Sequence, residues 1–232
     1  MHGVDELIQE FIETLASRWP GVPGEVPRRL RLGADTVTVA ARQPVIGLDE
    51  VDQMLRDPHS VRLYRPRPVS MLDILAAVVD GLAADSRLHP AEGPAGNGIE
   101  MLALARRITG ANPGVHLVRG MRSEWLGELD EDTWLSLFSD DGFAEAPVLL
   151  LLLGSPGAAW HRAGPSGYMS LLRRAGMVVH RTWLRALGAG LSGGLIESPE
   201  KSIALSRLAR LDPQRRRCLL GLVLGYREDR QP

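Results

Sequence analysis

The sequence predicts an α+β protein, and three stretches carry that expectation. The longest apolar run, Ala146 to Leu153, is far shorter than the roughly 20 residues a membrane helix needs. It reads instead as a strand buried on both faces, closed by Gly154-Ser155-Pro156-Gly157. From about Tyr168 to Ala189, apolar Leu171, Leu172, Ala175, Val178, Val179, Trp183 and Ala186 recur at helical spacing and predict the longest helix. Cys218 to Tyr226 is a second apolar run and reads as the final strand.

The remaining elements follow in order. An opening helix, Val4 to Ser17, stops before the turn-rich linker Pro20-Gly21-Val22-Pro23-Gly24. Thr36 to Ala40 alternates as a short strand. Helices are expected at Leu48 to Leu55 and at Met71 to Ala84, the latter with Ser70 as its N-cap. Asp85 to Gly98, rich in Gly, Pro and Ala, is a loop, followed by strands near Ile99 to Leu104 and Val115 to Val118. Glu124 to Phe143 is acidic with aromatics and is expected to be helical in part; Pro199 to Arg210 is another short helix. Residues 1–45 form an N-terminal helix and linker on this reading, and residues 46–232 form the main domain.

Composition excludes several functions. With 232 residues and 44% hydrophobic content the chain can bury a sizeable core. Its net charge is -1 and its pI about 6.6, so no global basic field favours nucleic acid. Lys201 is the only lysine; arginine carries the positive charge. The single cysteine, Cys218, rules out an internal disulfide and reads as a buried or half-buried thiol rather than a reactive one. Asp5, Glu6 and Glu10 stand where a secretory signal would be basic, so a cytoplasmic location with no membrane contact is expected. His2, His59, His89, His116, His161 and His180 show no zinc-site spacing, so no metal is expected. Gly188, Gly190, Gly193 and Gly194 follow a helix rather than a strand, as in a helix exit and turn, not a dinucleotide loop.

The most informative stretch is His59-Ser60-Val61-Arg62-Leu63-Tyr64, followed by Arg65-Pro66-Arg67-Pro68-Val69-Ser70 and a helix. If the run is extended, Ser60 and Arg62 point the same way. A hydroxyl paired with a guanidinium fork can hold a phosphate or a ring carbonyl.

This segment resembles the start of the nitroreductase-like flavoproteins, where an R-x-S-x-R-x-F run precedes P-V-S and a helix. Arg87 to Gly93, Glu100 and Arg106 to Val118 are similar to a region of the branch that contains the SagB-type peptide dehydrogenases. The Gly167 to Leu191 segment resembles the family's long central helix and its G-L exit, and Leu224-Gly225-Tyr226 its closing strand. The resemblance implies a nitroreductase-like fold with a central mixed sheet flanked by helices, the long helix lying at a dimer interface. It implies bound flavin mononucleotide (FMN), and a homodimer or a heterodimer with a related subunit. It also implies an oxidoreductase acting on a peptide or small-molecule natural-product intermediate.

Carried over residue by residue, the resemblance makes Ser60 and Arg62 flavin contacts, with Arg62 near the pyrimidine edge of the ring. His59 would replace a family arginine whose own position is Pro58, and Gly93 lies in the stretch that contacts phosphate or ring. Glu197 and Ser198 fall in the loop beside the ring; alternatively Ser198 caps the helix from Pro199. Arg227 or Arg230 would bind phosphate, or else belong to a solvated charged tail. Tyr168 and His180 are candidate acid and base, or structural. The family's Lys-Tyr pair aligns with Arg162-Ala163, which cannot act as a general base near neutral pH. Pro58, the lost hydroxyl and added Glu92 carboxylate of Pro90-Ala91-Glu92-Gly93, and that replaced pair are also what a flavin-free relative, serving as a binding partner or scaffold, would show.

Overall fold

The computed structural model describes residues 63–89, 99–119, 122–138, 141–196 and 216–228, with the backbone of residues 36–38. The helices expected at Val4 to Ser17, Leu48 to Leu55 and Pro199 to Arg210, and the boundary between 45 and 46, lie outside them.

The described strands are β1 (Thr36–Thr38), β2 (Val69–Ser70), β3 (Glu100–Ala105), β4 (Ile108–Thr109), β5 (Gly114–Arg119), β6 (Arg122–Gly127), β7 (Val148–Gly154), β8 (Ser192–Ile196) and β9 (Arg217–Gly225). The helices are α1 (Met71–Leu88), α2 (Glu131–Ser136), α3 (Asp141–Ala144) and α4 (Pro156–Gly188). Seven strands form one sheet in the order β1-β6-β5-β3-β7-β9-β8. The α+β architecture is the expected one. Every neighbouring pair in the sheet is antiparallel, and the parallel component of the expected mixed sheet is confined to the two-residue ladder β2–β4.

β7 is the interior strand that the apolar run predicted. Val148, Leu150 and Leu152 face one core, and Leu149, Leu151 and Leu153 the other, as alternation across a strand requires. The first core lies under α1 and α4, which contribute Ile74, Leu75, Val78, Ala175, Val178 and Val179. The second lies under α2 and α3, with Trp134 and Phe143 at its centre. Each fully buried leucine of β7 contributes about 1.5–3 kcal/mol. Cys218 is half-buried, and burial pushes its thiol up to about 11, so it is protonated and inert near neutral pH.

Ser70 does cap α1: its Oγ accepts from the Asp73 amide at 3.4 Å. The helix continues to Leu88 rather than ending at Ala84, so Asp85 to Leu88 are helical and not loop. Glu124 to Phe143 is helical in part, as expected: Glu124 to Gly127 is strand, and helix begins at Glu131, where Asp130 Oδ1 accepts from the Thr133 amide at 2.7 Å. One further expectation needs correction. Ser192 to Ile196 is edge strand β8, not turn.

α4 is two helical arms, residues 156–162 and 165–188, separated by Ala163 (φ -144°, ψ 23°) and Gly164 (φ 56°, ψ -141°). The second arm packs antiparallel on α1, and the crossing is tight at Gly81. A Cβ there would stand 2.5 Å from Thr182 Oγ1 and 2.7 Å from the Val178 carbonyl oxygen.

His116 on β5 is buried, its Nε2 2.8 Å from the Asn112 carbonyl. Burial lowers its pKa below the usual histidine value. The unfolded chain therefore binds more protons than the native state just below pH 6.5. Stability is full above that pH and falls as pH drops toward the native pKa, by at most about 1.4 kcal/mol per unit. Urea unfolding at pH 7.5, 6.5 and 5.5 should show this slope, and His116→Gln should flatten it.

Candidate functional site

Leu63 to Arg65 lies antiparallel against the end of β9. Tyr64 bridges Arg227, the Arg65 amide donates to the Tyr226 carbonyl at 2.8 Å, and the Glu228 amide donates to the Leu63 carbonyl at 3.1 Å. Tyr64 anchors this junction. Its ring is buried in the α2/α3 core, and burial raises its pKa far above the usual tyrosine range, so the phenol is neutral. Gly225 makes the close approach possible, since a Cβ there would stand 2.6 Å from Pro147 Cδ and 2.7 Å from Tyr64 Cδ1.

The junction gathers arginines. Arg65, Arg67 and Arg227 are exposed around it, and the Arg67 guanidinium lies 4.2 Å from the centroid of the Tyr226 ring, a cation–π contact. Glu228 is the neighbouring acid. Arg106 and Arg107, close by, brace the β3–β7 corner: Arg106 Nη1 donates to the Ala144 carbonyl at 3.0 Å, and Arg107 donates to that of Glu145.

Of the residues singled out in the sequence, His59, Ser60, Arg62, Gly93, Glu197 and Ser198 lie outside the described residues. Arg227 is placed in the junction. Glu197 follows Ile196, which pairs with Gly221. Six residues of β9 and its exit separate that point from Arg227, about 20 Å at strand spacing.

Tyr168 and His180 are not brought together. Twelve residues of one helix set them about 18 Å apart along its axis. Tyr168 is half-buried, and desolvation raises its pKa, which keeps the phenol protonated near neutrality. His180 is exposed on the outer face of α4. The inner face is committed to α1. Arg174 Nε donates to Asp85 Oδ1 at 2.9 Å and Nη2 to Oδ2 at 2.6 Å, a pair buried at 7% and 6% side-chain exposure. Arg181 forms a second, more exposed fork on Asp80 at 2.8 and 3.2 Å.

Sequence reasoning missed Arg65 and Arg67. The alternation Arg65-Pro66-Arg67-Pro68 was visible, but which ring Arg67 meets depends on pairing with the far end of the chain. It also missed the Asp85–Arg174 pair, because Asp85 read as loop.

The Nitroreductase family profile matches residues 103–226, just over half the chain, from the middle of β3 to just past β9 and including α4. The chain belongs to the nitroreductase family. No curated protein matches it in sequence. Among solved structures, a candidate nitroreductase of Anabaena variabilis superposes with a TM-score of 0.68 at 13% identity, covering 83% of this chain and 42% of that one. The chain therefore spans less than half the length of that protein. A candidate nitroreductase of Ralstonia eutropha gives 0.60 at 15% identity, with 91% and 99% covered. NfrA2 of B. megaterium gives 0.54 at 16%, with 79% and 68% covered. These likenesses carry the nitroreductase fold.

Members of the nitroreductase family generally use flavin, and the donor set at the junction suits its phosphate. Guanidinium forks match phosphate oxygens better than any other side chain. Among the described residues, no helix is long and apolar enough to cross a membrane.

Proposed function

We propose that this chain is an FMN-dependent oxidoreductase that takes hydride from a carbon next to nitrogen in a peptide or small-molecule natural-product intermediate. One observation supports the reading: Leu63–Arg65, which directly follows Arg62 in the sequence, pairs with Tyr226–Glu228. The strand end that carries Arg227 thus meets the residues next in sequence to the stretch picked out for flavin contact.

Bound there, FMN would supply two-electron hydride chemistry. Arg227, with His59 and Ser60, is assigned to the phosphate end, and Arg62 to the ring. Gly93 is assigned to the phosphate or the ring, and Glu197 and Ser198 to the ring. Tyr168, held protonated by burial, suits a proton donor rather than a base. His180, exposed and about 18 Å from Tyr168 along α4, is the alternative candidate as proton acceptor and not its partner at one site. Homodimers are common in the family, and exposed Met169 and Leu172 on α4 (41% and 36%) suit burial against a second copy or a related subunit. The location we assign is cytoplasmic.

A second reading has its own support. Arg174 and Arg181, where SagB-type enzymes carry Glu and Asn, are held in ion pairs to α1, so this face offers no family-type acid or base. A flavin-free relative serving as partner or scaffold would look the same.

Visible absorption after incubation with FMN and desalting separates the two. Retained flavin bands, with Arg227→Ala raising the FMN dissociation constant about 10- to 100-fold through loss of a charge-assisted contact, are the expected result. A protein that stays colourless sinks the enzyme reading.

A further inference from the structure

The break in α4 opens a cavity of about 210 Å³ between its arms, far above the roughly 10–15 Å³ that one water needs. Two glycines build it. Gly164 takes a positive φ that other residues rarely adopt. Gly167 brings the arms together, since a Cβ there would stand 2.1 Å from the Ala159 carbonyl oxygen. Ala159, Ala163 and Leu171 give the wall an apolar side. Its polar side divides into groups with partners and groups without. Arg174 is forked onto Asp85, Arg162 has a contact of its own, and Ser166 donates to the Ala163 carbonyl at 2.7 Å. Ser155 and Ser170 differ. Ser155 precedes the first arm without capping it, and neither hydroxyl has a hydrogen-bond partner among the described residues. No carboxylate of those residues lines the space.

We propose that this cavity binds a neutral amide carried on a short aliphatic body. Ions of either sign are disfavoured. An anion would meet Arg174 already neutralised by Asp85 and Arg162 with its own contact, and a cation would meet no carboxylate. Taking a charge out of water without a partner is costly. An amide avoids that cost and still uses both free hydroxyls. Its carbonyl accepts and its N–H donates, while a serine hydroxyl can do either. One serine donates to the carbonyl and the other accepts from the nitrogen, so the ligand bridges the start of the first arm and the body of the second. Leu171 and the two alanines supply the surface against which an aliphatic group packs. The site does not depend on the flavin reading, because it shares no residue with the Arg227 junction.

Amide-resolved NMR titration with isovaleramide and with isovalerate tests it. The two probes have the same body, and only the second carries charge. Saturable shifts at Gly164 and Gly167 are expected with the amide at millimolar concentration, the range open to a ligand of so few atoms. Isovalerate should bind at least about tenfold more weakly. Ser155→Ala and Ser170→Ala should each weaken the amide about 2- to 10-fold through loss of one hydrogen bond, with melting curves that match the parent. N-methylisovaleramide that binds as well as isovaleramide assigns the site to a peptide bond; if methylation abolishes binding, the ligand is a primary amide. No flavin enters these titrations, so a protein that stays colourless with FMN and still binds the amide separates the two readings. Equal or tighter binding of isovalerate, amide binding unmoved by both serine variants, or no saturable shift at those glycines up to about 100 mM ligand, overturns the proposal.

Discussion

Arg174→Ala is expected to lower unfolding stability by about 3–5 kcal/mol, a large share of the roughly 5–15 kcal/mol a domain has. The substitution leaves the Asp85 carboxylate inside the protein without the two charge-assisted bonds that satisfy it. It also removes the buried link between α1 and the second arm of α4, whose crossing at Gly81 is too tight for the helices to close in further. Urea unfolding followed by circular dichroism gives the loss directly. The apolar double replacement Asp85→Leu with Arg174→Met should recover most of it, since a buried pair replaced whole by hydrophobic groups is often neutral or better. A single-variant loss below about 1 kcal/mol would mean that the helices are held by the apolar core alone.

Trp134→Ala should cost a similar amount on the other side of the sheet, about 3–5 kcal/mol. Trp134 is 1% exposed, meets Phe138 edge-on with ring centroids 5.1 Å apart, and donates its indole N–H to the Ala144 carbonyl at 2.7 Å. That last bond ties α2 to the end of α3, so the loss is of packing and of the link that holds both short helices down. Trp134→Phe keeps the aromatic bulk and should cost only about 1 kcal/mol for the missing N–H. Limited proteolysis offers an independent check: the alanine variant should be cleaved first between residues 128 and 146, and uniform cleavage across the chain would contradict the assignment.

How much of this was readable beforehand depended on whether local pattern or distant contact decided each element. β7 and the second arm of α4 were legible because an uninterrupted apolar run and a sustained helical period have few alternatives. α1 began where Ser70 said it would. Its end was misplaced because Asp85 and Ser86 look like loop residues until Arg174, far along the chain, neutralises the first. β8 was hidden for a related reason. Ser192-Gly193-Gly194 has poor strand propensity, yet a Cβ at Gly193 would stand 2.7 Å from the Val223 carbonyl oxygen and 3.1 Å from Trp183 Nε1. Here glycine is what lets the edge strand pair under a tryptophan. In the candidate site, Arg227 could be picked out from its place after an apolar strand, whereas the Arg67–Tyr226 stack depends on a pairing that no local pattern encodes.

That pairing has a consequence for how the protein is made. Tyr64 and Arg227 lie at opposite ends of the described chain, so the bridge between them closes a loop containing almost every other element. Closing so long a loop carries a high entropic cost, and non-local contacts of this kind slow folding. At about 5–20 residues per second, a ribosome needs roughly ten to thirty seconds after Tyr64 to reach Arg227. Through that interval the nascent chain can build α1 and the β3–β7 hairpins, but the arginine corner has no second half. Any anion that depends on both halves is captured only after Arg227 has been added to the chain.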